Sequence, residues 1–231
     1  MDPGPDVAAE PGAESEHSPV VRTVATGVEV LAACAAVVLD LAVPSLVLTV
    51  MAAVSLLIRR DGWSSLGFRR SNDAWLVPKM MAFAAVWSLF QLGVTMPVAN
   101  YLSGREQDLS DFADLQGDVG RLVTLLVLGW VVGALVEELA YRGYLQTRLR
   151  QLVGDGTAAV VVAVLISSVL FGRVHSEQGL VGIVVVTLDG IAWSVLRYRY
   201  RTLWASVLAH GFNNTIGFTT FFLVGPVHGL W

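Results

Sequence analysis

The chain has 231 residues, 55% hydrophobic and 15% charged, with a mean hydropathy of +0.63 and a formal net charge of −4. Soluble domains carry about 25% charged residues, so a soluble globular fold is excluded, and the lack of alternating strand-like segments excludes an outer-membrane barrel. The single cysteine, Cys34, excludes an intramolecular disulfide and a cysteine-based metal cluster.

Residues 1–22 hold Pro3, Pro5, Pro11, Pro19 and five acidic side chains, with few large apolar ones, and read as a disordered tail. The tail lacks the basic start of a signal peptide, and the apolar run after it is too long for one. Thr23 to Ile58 is nearly all apolar, interrupted by Glu29, Asp40 and Pro44. One straight helix of that length would reach ~50 Å, beyond the ~30 Å hydrocarbon core, so two helices turning near Asp40–Pro44 are expected. Further apolar runs follow at 75–98, 122–138, 158–174, 180–196 and 203–224.

The loops between the runs differ in charge. Arginines gather at 59–70, 142–150 and 197–201, whereas 100–120 carries Glu106, Asp108, Asp111, Asp114 and Asp118 against Arg105. The positive-inside rule then predicts an all-α polytopic transmembrane bundle of about seven spans, with the N-terminus cytoplasmic and the C-terminus external. No internal repeat of the kind found in inverted-repeat transporters is visible. A domain division follows: 1–22 tail, 23–119 N-terminal helices and acidic loop, 120–224 core, 225–231 C-terminal tail.

The polar residues inside the core are few. Glu137 and Glu138 end an apolar run, and a charge at membrane depth costs ~3 kcal/mol or more unless it faces protein or a cavity. Glu138 and Arg142 are four apart and can pair, while Glu137 points about 100° away and is left free for chemistry. Of four histidines, His17 and His228 lie in polar termini. His175 ends a span, and His210 sits in the last one, with Asn214 four residues on and hence on the same helical face. Glu137 and His175 have the residue types to hold and deprotonate a water. His210 and Asn214 have those to donate to the oxyanion of a tetrahedral intermediate. Together they describe amide hydrolysis without a covalent intermediate, in a membrane cavity. Glu137, His175 and His210 are equally a zinc ligand set with an open position, although the His-Glu-x-x-His spacing of soluble zinc proteases is absent. The sequence requires no cofactor; a divalent metal such as zinc remains open, with the metal-free version favoured because Asn214 suits a donor better than a ligand.

Glu137-Glu138-x-x-x-Arg142, Phe171-x-x-x-His175 and His210-x-x-x-Asn214, in that order over about residues 120–224, resemble the three motifs of the CPBP family. These are the type II CAAX prenyl endopeptidases and bacteriocin-processing membrane proteases, also called the Abi family. The resemblance implies a helical intramembrane endopeptidase, of glutamate or metallo type. It assigns Glu137 and His175 to water activation, His210 and Asn214 to the oxyanion, and Glu138 with Arg142 to support. Two residues depart from the family pattern, Arg173 within the second motif and Asp189 in the next span. Asp189 is expected as a structural partner of Arg173 or Arg142, the alternative being that it lines the cavity. The implied partners are the bilayer and a membrane protein or a lipidated or apolar peptide, not nucleic acid, and the implied location is a bacterial plasma membrane. Two competing readings are a non-catalytic membrane scaffold and a proton-coupled transporter. One tension remains in the pattern. Hydropathy puts Glu137 and His175 at opposite ends of their spans, so they meet only if helices are offset or broken, with Gly129, Gly133 and Gly172 as candidates.

Overall fold

The computed structural model describes residues 19–231, which are all-helical apart from turns and loops. The apolar runs become continuous helices: α1 Pro19–Val38, α2 Pro44–Arg59, α3 Leu76–Ser103, α4 Val119–Val153, α5 Thr157–Arg173, α6 Gly179–Tyr200 and α7 Leu203–Val224. Four segments are long and apolar enough to cross a membrane by length and composition: Val20–Val38, Leu76–Ser103, Val119–Val153 and Ser176–Tyr200. The helices α2 and α5 are shorter apolar ones. Exposed leucines and valines such as Leu57, Leu102, Val127 and Val169 cover their outer faces, as suits a lipid solvent. This is a helical integral membrane protein.

The turn expected near Asp40–Pro44 is present. Asp40 and Ala42 adopt left-handed φ values of 50° and 53°, and Pro44 opens α2, where its missing N–H has no intrahelical partner to lose. Because α1 starts at Pro19, residues 19–22 of the expected tail are helical instead; the rest, with His17, lies outside the described residues. The C-terminal stretch is tied down rather than free. Leu230 N–H donates to Leu92 O at 2.9 Å and Trp231 Nε1 to Gly93 O at 2.8 Å. Both acceptors lie in a wide π-turn of α3, Gln91–Thr95, where the α-helical ladder is interrupted.

The helix α4 is the centre of the bundle. Its residues Leu139, Ala140, Tyr144 and Leu145 share one apolar core with α1, α2 and Phe171 of α5. Leu76 and Met80 of α3, Trp193 and Leu196 of α6, and Ala205 and Ala209 of α7 form a second core. Glu29 of α1 joins the N-terminal hairpin to α4 by accepting from Arg59 Nη2 at 2.7 Å and Ser55 Oγ at 2.7 Å, and pairs with Arg148 Nε at 3.0 Å. Arg148 is only 1% exposed, so this cluster anchors residues in which the sequence shows no motif.

The helix order sends the arginine-rich connections to one end and the acidic 104–118 loop to the other. The acidic loop docks on the α5–α6 connection, Asp108 N–H donating to Gln178 O at 3.0 Å. A reporter fused after Arg70, Arg150 or Arg201 is expected to read cytoplasmic, and one placed in 105–118 external; swapped signals would overturn this orientation.

Candidate active site

The tension between Glu137 and His175 disappears once α4 is seen whole. The span does not stop at Glu138 but runs on through Arg142 and Arg148 to Val153, and α5 then returns antiparallel from Thr157. Glu137 is sixteen residues before the end of α4, and the end of α5, just before His175, is sixteen after its start, ~24 Å from the α4–α5 turn in each case at 1.5 Å per residue. The two side chains therefore reach the same level. The amphipathic continuation belongs to the span, whereas hydropathy alone ends it at 138.

The glycines expected to break helices act differently. A Cβ on Gly129 would lie 2.7 Å from the Phe218 ring, and one on Gly133 would lie 2.8 Å from Asn214 Nδ2. These positions let α7 approach α4, and any side chain there would push Asn214 away. Gly172 likewise lies against α6, where a Cβ would collide with Thr187 Oγ1. The backbone of α4 is not broken but widened, with π-helical turns at Gly129–Val136 and Glu138–Leu145. Such turns recur at functional sites.

Glu137, His175, His210 and Asn214 line one cavity of about 380 Å³, together with Asp189. The cavity is otherwise largely apolar, with Leu128, Val132, Phe112 and Phe221 among its walls. Glu138 does not line it. It is fully buried behind the cavity, with Arg142 Nη1 3.1 Å and His210 Nδ1 3.0 Å from the same oxygen, Oε1. The i,i+4 pairing expected of Glu138 and Arg142 is thus present, and Glu137 is the carboxylate left facing the cavity. The contact of Glu138 with His210 was not legible in the sequence, since 72 positions separate the two. Arg142 also lies over the Phe171 ring, 4.0 Å from guanidinium carbon to ring centre. That ring in turn meets His175 and His210 edge-on, with centres 5.0 and 6.0 Å away. Trp193 stacks on the other face of His210 at 5.9 Å. His210 is therefore clamped between the two apolar cores and aimed by Glu138.

The hydrogen bonds separate the two histidines chemically. His175 Nδ1 is 3.0 Å from Phe171 O. A carbonyl only accepts, so Nδ1 carries the proton and the neutral ring keeps a lone pair on Nε2. His210 Nδ1 lies 3.0 Å from the Glu138 carboxylate, which only accepts, so Nδ1 carries a proton there. Asn214 Nδ2 donates one proton to Gly129 O at 3.1 Å and holds a second.

Asp189 departs from its expected place. It pairs with neither Arg142 nor Arg173: its Oδ1 accepts from Trp87 Nε1 at 2.6 Å and Gln91 Nε2 at 2.7 Å. Arg173 instead donates to Ser176 Oγ at 2.8 Å on the surface. The cavity-lining alternative for Asp189 describes the structure. Ser88, Gln91 and Asn213 also line the cavity, Ser88 Oγ donating to Asn213 Oδ1 at 2.8 Å. Gln91, a polar residue inside the apolar run 75–98, was the sequence signal for this contribution from α3.

Among the described residues no group of three or more His, Cys, Asp or Glu is gathered so as to hold a metal ion. His210 has one ring nitrogen committed to Glu138 and Asn214 is tied to Gly129. In both histidines the committed ring nitrogen is Nδ1, so Nε2 is the one left open.

Fold and cavity together define a class: a polytopic helical membrane protein in which two glutamates, two histidines and an asparagine gather between the helices. Residues 119–216 match the family model described as Rce1-like, type II CAAX prenyl endopeptidase. The match spans every motif residue from Glu137 to Asn214. No curated protein and no solved structure matches the chain. The matched segment is therefore similar to a family of membrane endopeptidases.

Proposed function

We propose that the chain hydrolyses a peptide bond of a membrane-associated protein or a lipidated or apolar peptide, with a water activated by Glu137 and His175. The observation that carries this reading is the convergence of Glu137, His175, His210 and Asn214 on one apolar-walled cavity. A water between Glu137 and His175 Nε2 gives up its proton to that pair as its oxygen attacks the carbonyl carbon. The carbonyl oxygen takes up the negative charge and receives hydrogen bonds from His210 Nε2–H and the free amide proton of Asn214. The tetrahedral intermediate then breaks its C–N bond, and the abstracted proton passes from Glu137–His175 to the leaving amine. Glu138 accepts from His210 Nδ1–H and aims Nε2–H at the oxyanion, and Arg142 balances Glu138. The walls of Phe112, Phe221, Leu128 and Val132 suit an apolar segment beside the scissile bond.

Asn214→Ala should lower kcat by ~10²-fold or more with KM little changed, because the interaction is made in the transition state. An unchanged kcat would remove Asn214 from the oxyanion site. The proposed chemistry routes no step through a metal. Chelation should therefore leave the rate within about twofold of its starting value, whereas zinc ligation would make zinc removal abolish activity and zinc addition restore it. A scaffold role is separated by alanine substitution of the four cavity residues, which a scaffold would survive.

A further inference from the structure

At the end of the bundle opposite the acidic loop lies a polar depression of about 660 Å³, outside the cavity described above. It is formed where the one-turn helix Trp63–Leu66, the end of α4 and the α6–α7 junction meet. Arg69, Arg150, Arg197 and Arg201 line it, with Thr147 and Thr202 between them. Among the described residues the only carboxylate in its wall is Asp155, fully exposed and 3.8 Å from Arg150. Arg197 is only 9% exposed, and its guanidinium is fixed by two neutral groups, Nη1 to Gln146 Oε1 at 3.1 Å and Nη2 to Thr147 Oγ1 at 2.9 Å. Among the described residues no carboxylate pairs with Arg69, Arg197 or Arg201.

A buried, held cation without a counter-ion is costly unless an anion completes it. The depression gives such an anion several guanidinium forks on one side, a geometry matched to phosphoryl oxygens. Its depth in the bilayer is marked independently. Trp63 and Trp204, 52% and 41% exposed, flank Phe68 with ring centres 6.3 and 5.3 Å from it, in the same two segments that supply Ser64, Gly67 and Thr202 of the wall. Exposed indoles of this kind sit at headgroup level. The arginine-rich end is also the side on which anionic lipids attract basic side chains. We propose that this depression binds the phosphoryl headgroup of an anionic phospholipid. The site does not depend on the peptidase reading, and its test does not measure cleavage.

Full-length protein in detergent is mixed with equal amounts of phosphatidylglycerol and phosphatidylcholine, and lipid retention is read by native mass spectrometry. Phosphatidylglycerol should be retained preferentially. Arg150→Gln/Arg201→Gln, both exposed positions, should weaken that retention by roughly 20- to 30-fold, from about fivefold per arginine. Arg60→Gln/Arg70→Gln, at the same end but outside the depression, should change it by about twofold or less. Equal retention of the two lipids, or no loss in the first double variant, would overturn the proposal. So would an equal loss in the second, which would show diffuse charge rather than a site. Displacement of phosphatidylglycerol by millimolar inorganic phosphate would assign the depression to a soluble phosphoryl group and overturn the lipid assignment.

Discussion

Glutamine at position 137 should cut the cleavage rate by about 10²–10⁴-fold while leaving the protein folded, the usual worth of a general base. The substitution keeps the size and hydrogen-bonding shape of the side chain but removes its ability to accept the water's proton. Structure gives the reason to expect normal stability. Glu137 is part-exposed and faces the cavity, with no ion pair to any described residue, so no buried cation is orphaned by its loss. Measured side by side, kcat should collapse and detergent melting temperature should barely move. A folded Glu137→Gln protein that cleaves at the full rate would remove Glu137 from the mechanism.

The neighbouring glutamate should behave in the opposite way. Glu138 and Arg142 are both fully buried, 3.1 Å apart, and removing one partner of a buried pair typically costs about 3–5 kcal/mol. In Glu138→Gln the Arg142 guanidinium would lose its ion-pair partner and keep the Phe171 ring 4.0 Å away. A marked fall in folded yield and melting temperature is expected. Activity should fall as well, because His210 loses the carboxylate at Nδ1. Adding Arg142→Leu should recover part of the stability but not the activity, a non-additivity that a double-mutant cycle measures directly. A Glu138→Gln protein of normal stability and no activity would instead place Glu138 in the chemistry.

These two expectations rest on different layers of the sequence. That Glu138 pairs with Arg142 and Glu137 does not was legible from helical spacing, and it survives the π-helical widening of α4. The turn between α1 and α2 was legible too, because Asp40–Pro44 punctuates a long apolar run. The level at which Glu137 meets His175 was not. Hydropathy ends a span at its first charges, whereas α4 buries Glu138, Arg142 and Arg148 and carries on. Nor does a sequence show that Gly129 and Gly133 are spaces for Asn214 and Phe218 rather than breaks, since a small residue serves both purposes. The Glu138–His210 contact, the setting of Asp189 under Trp87 and Gln91, and the docking of Leu230 and Trp231 on α3 all join distant segments. Nothing local in the chain encodes them.

The central claim, that this cavity cuts peptide bonds, is tested most directly by mapping protein termini in membranes carrying either the intact chain or Glu137→Gln at equal abundance. The account predicts new termini, within or beside apolar or lipidated segments of membrane-associated proteins, that appear with the intact chain and are absent with Glu137→Gln. Identical sets of termini from the two membranes would contradict it.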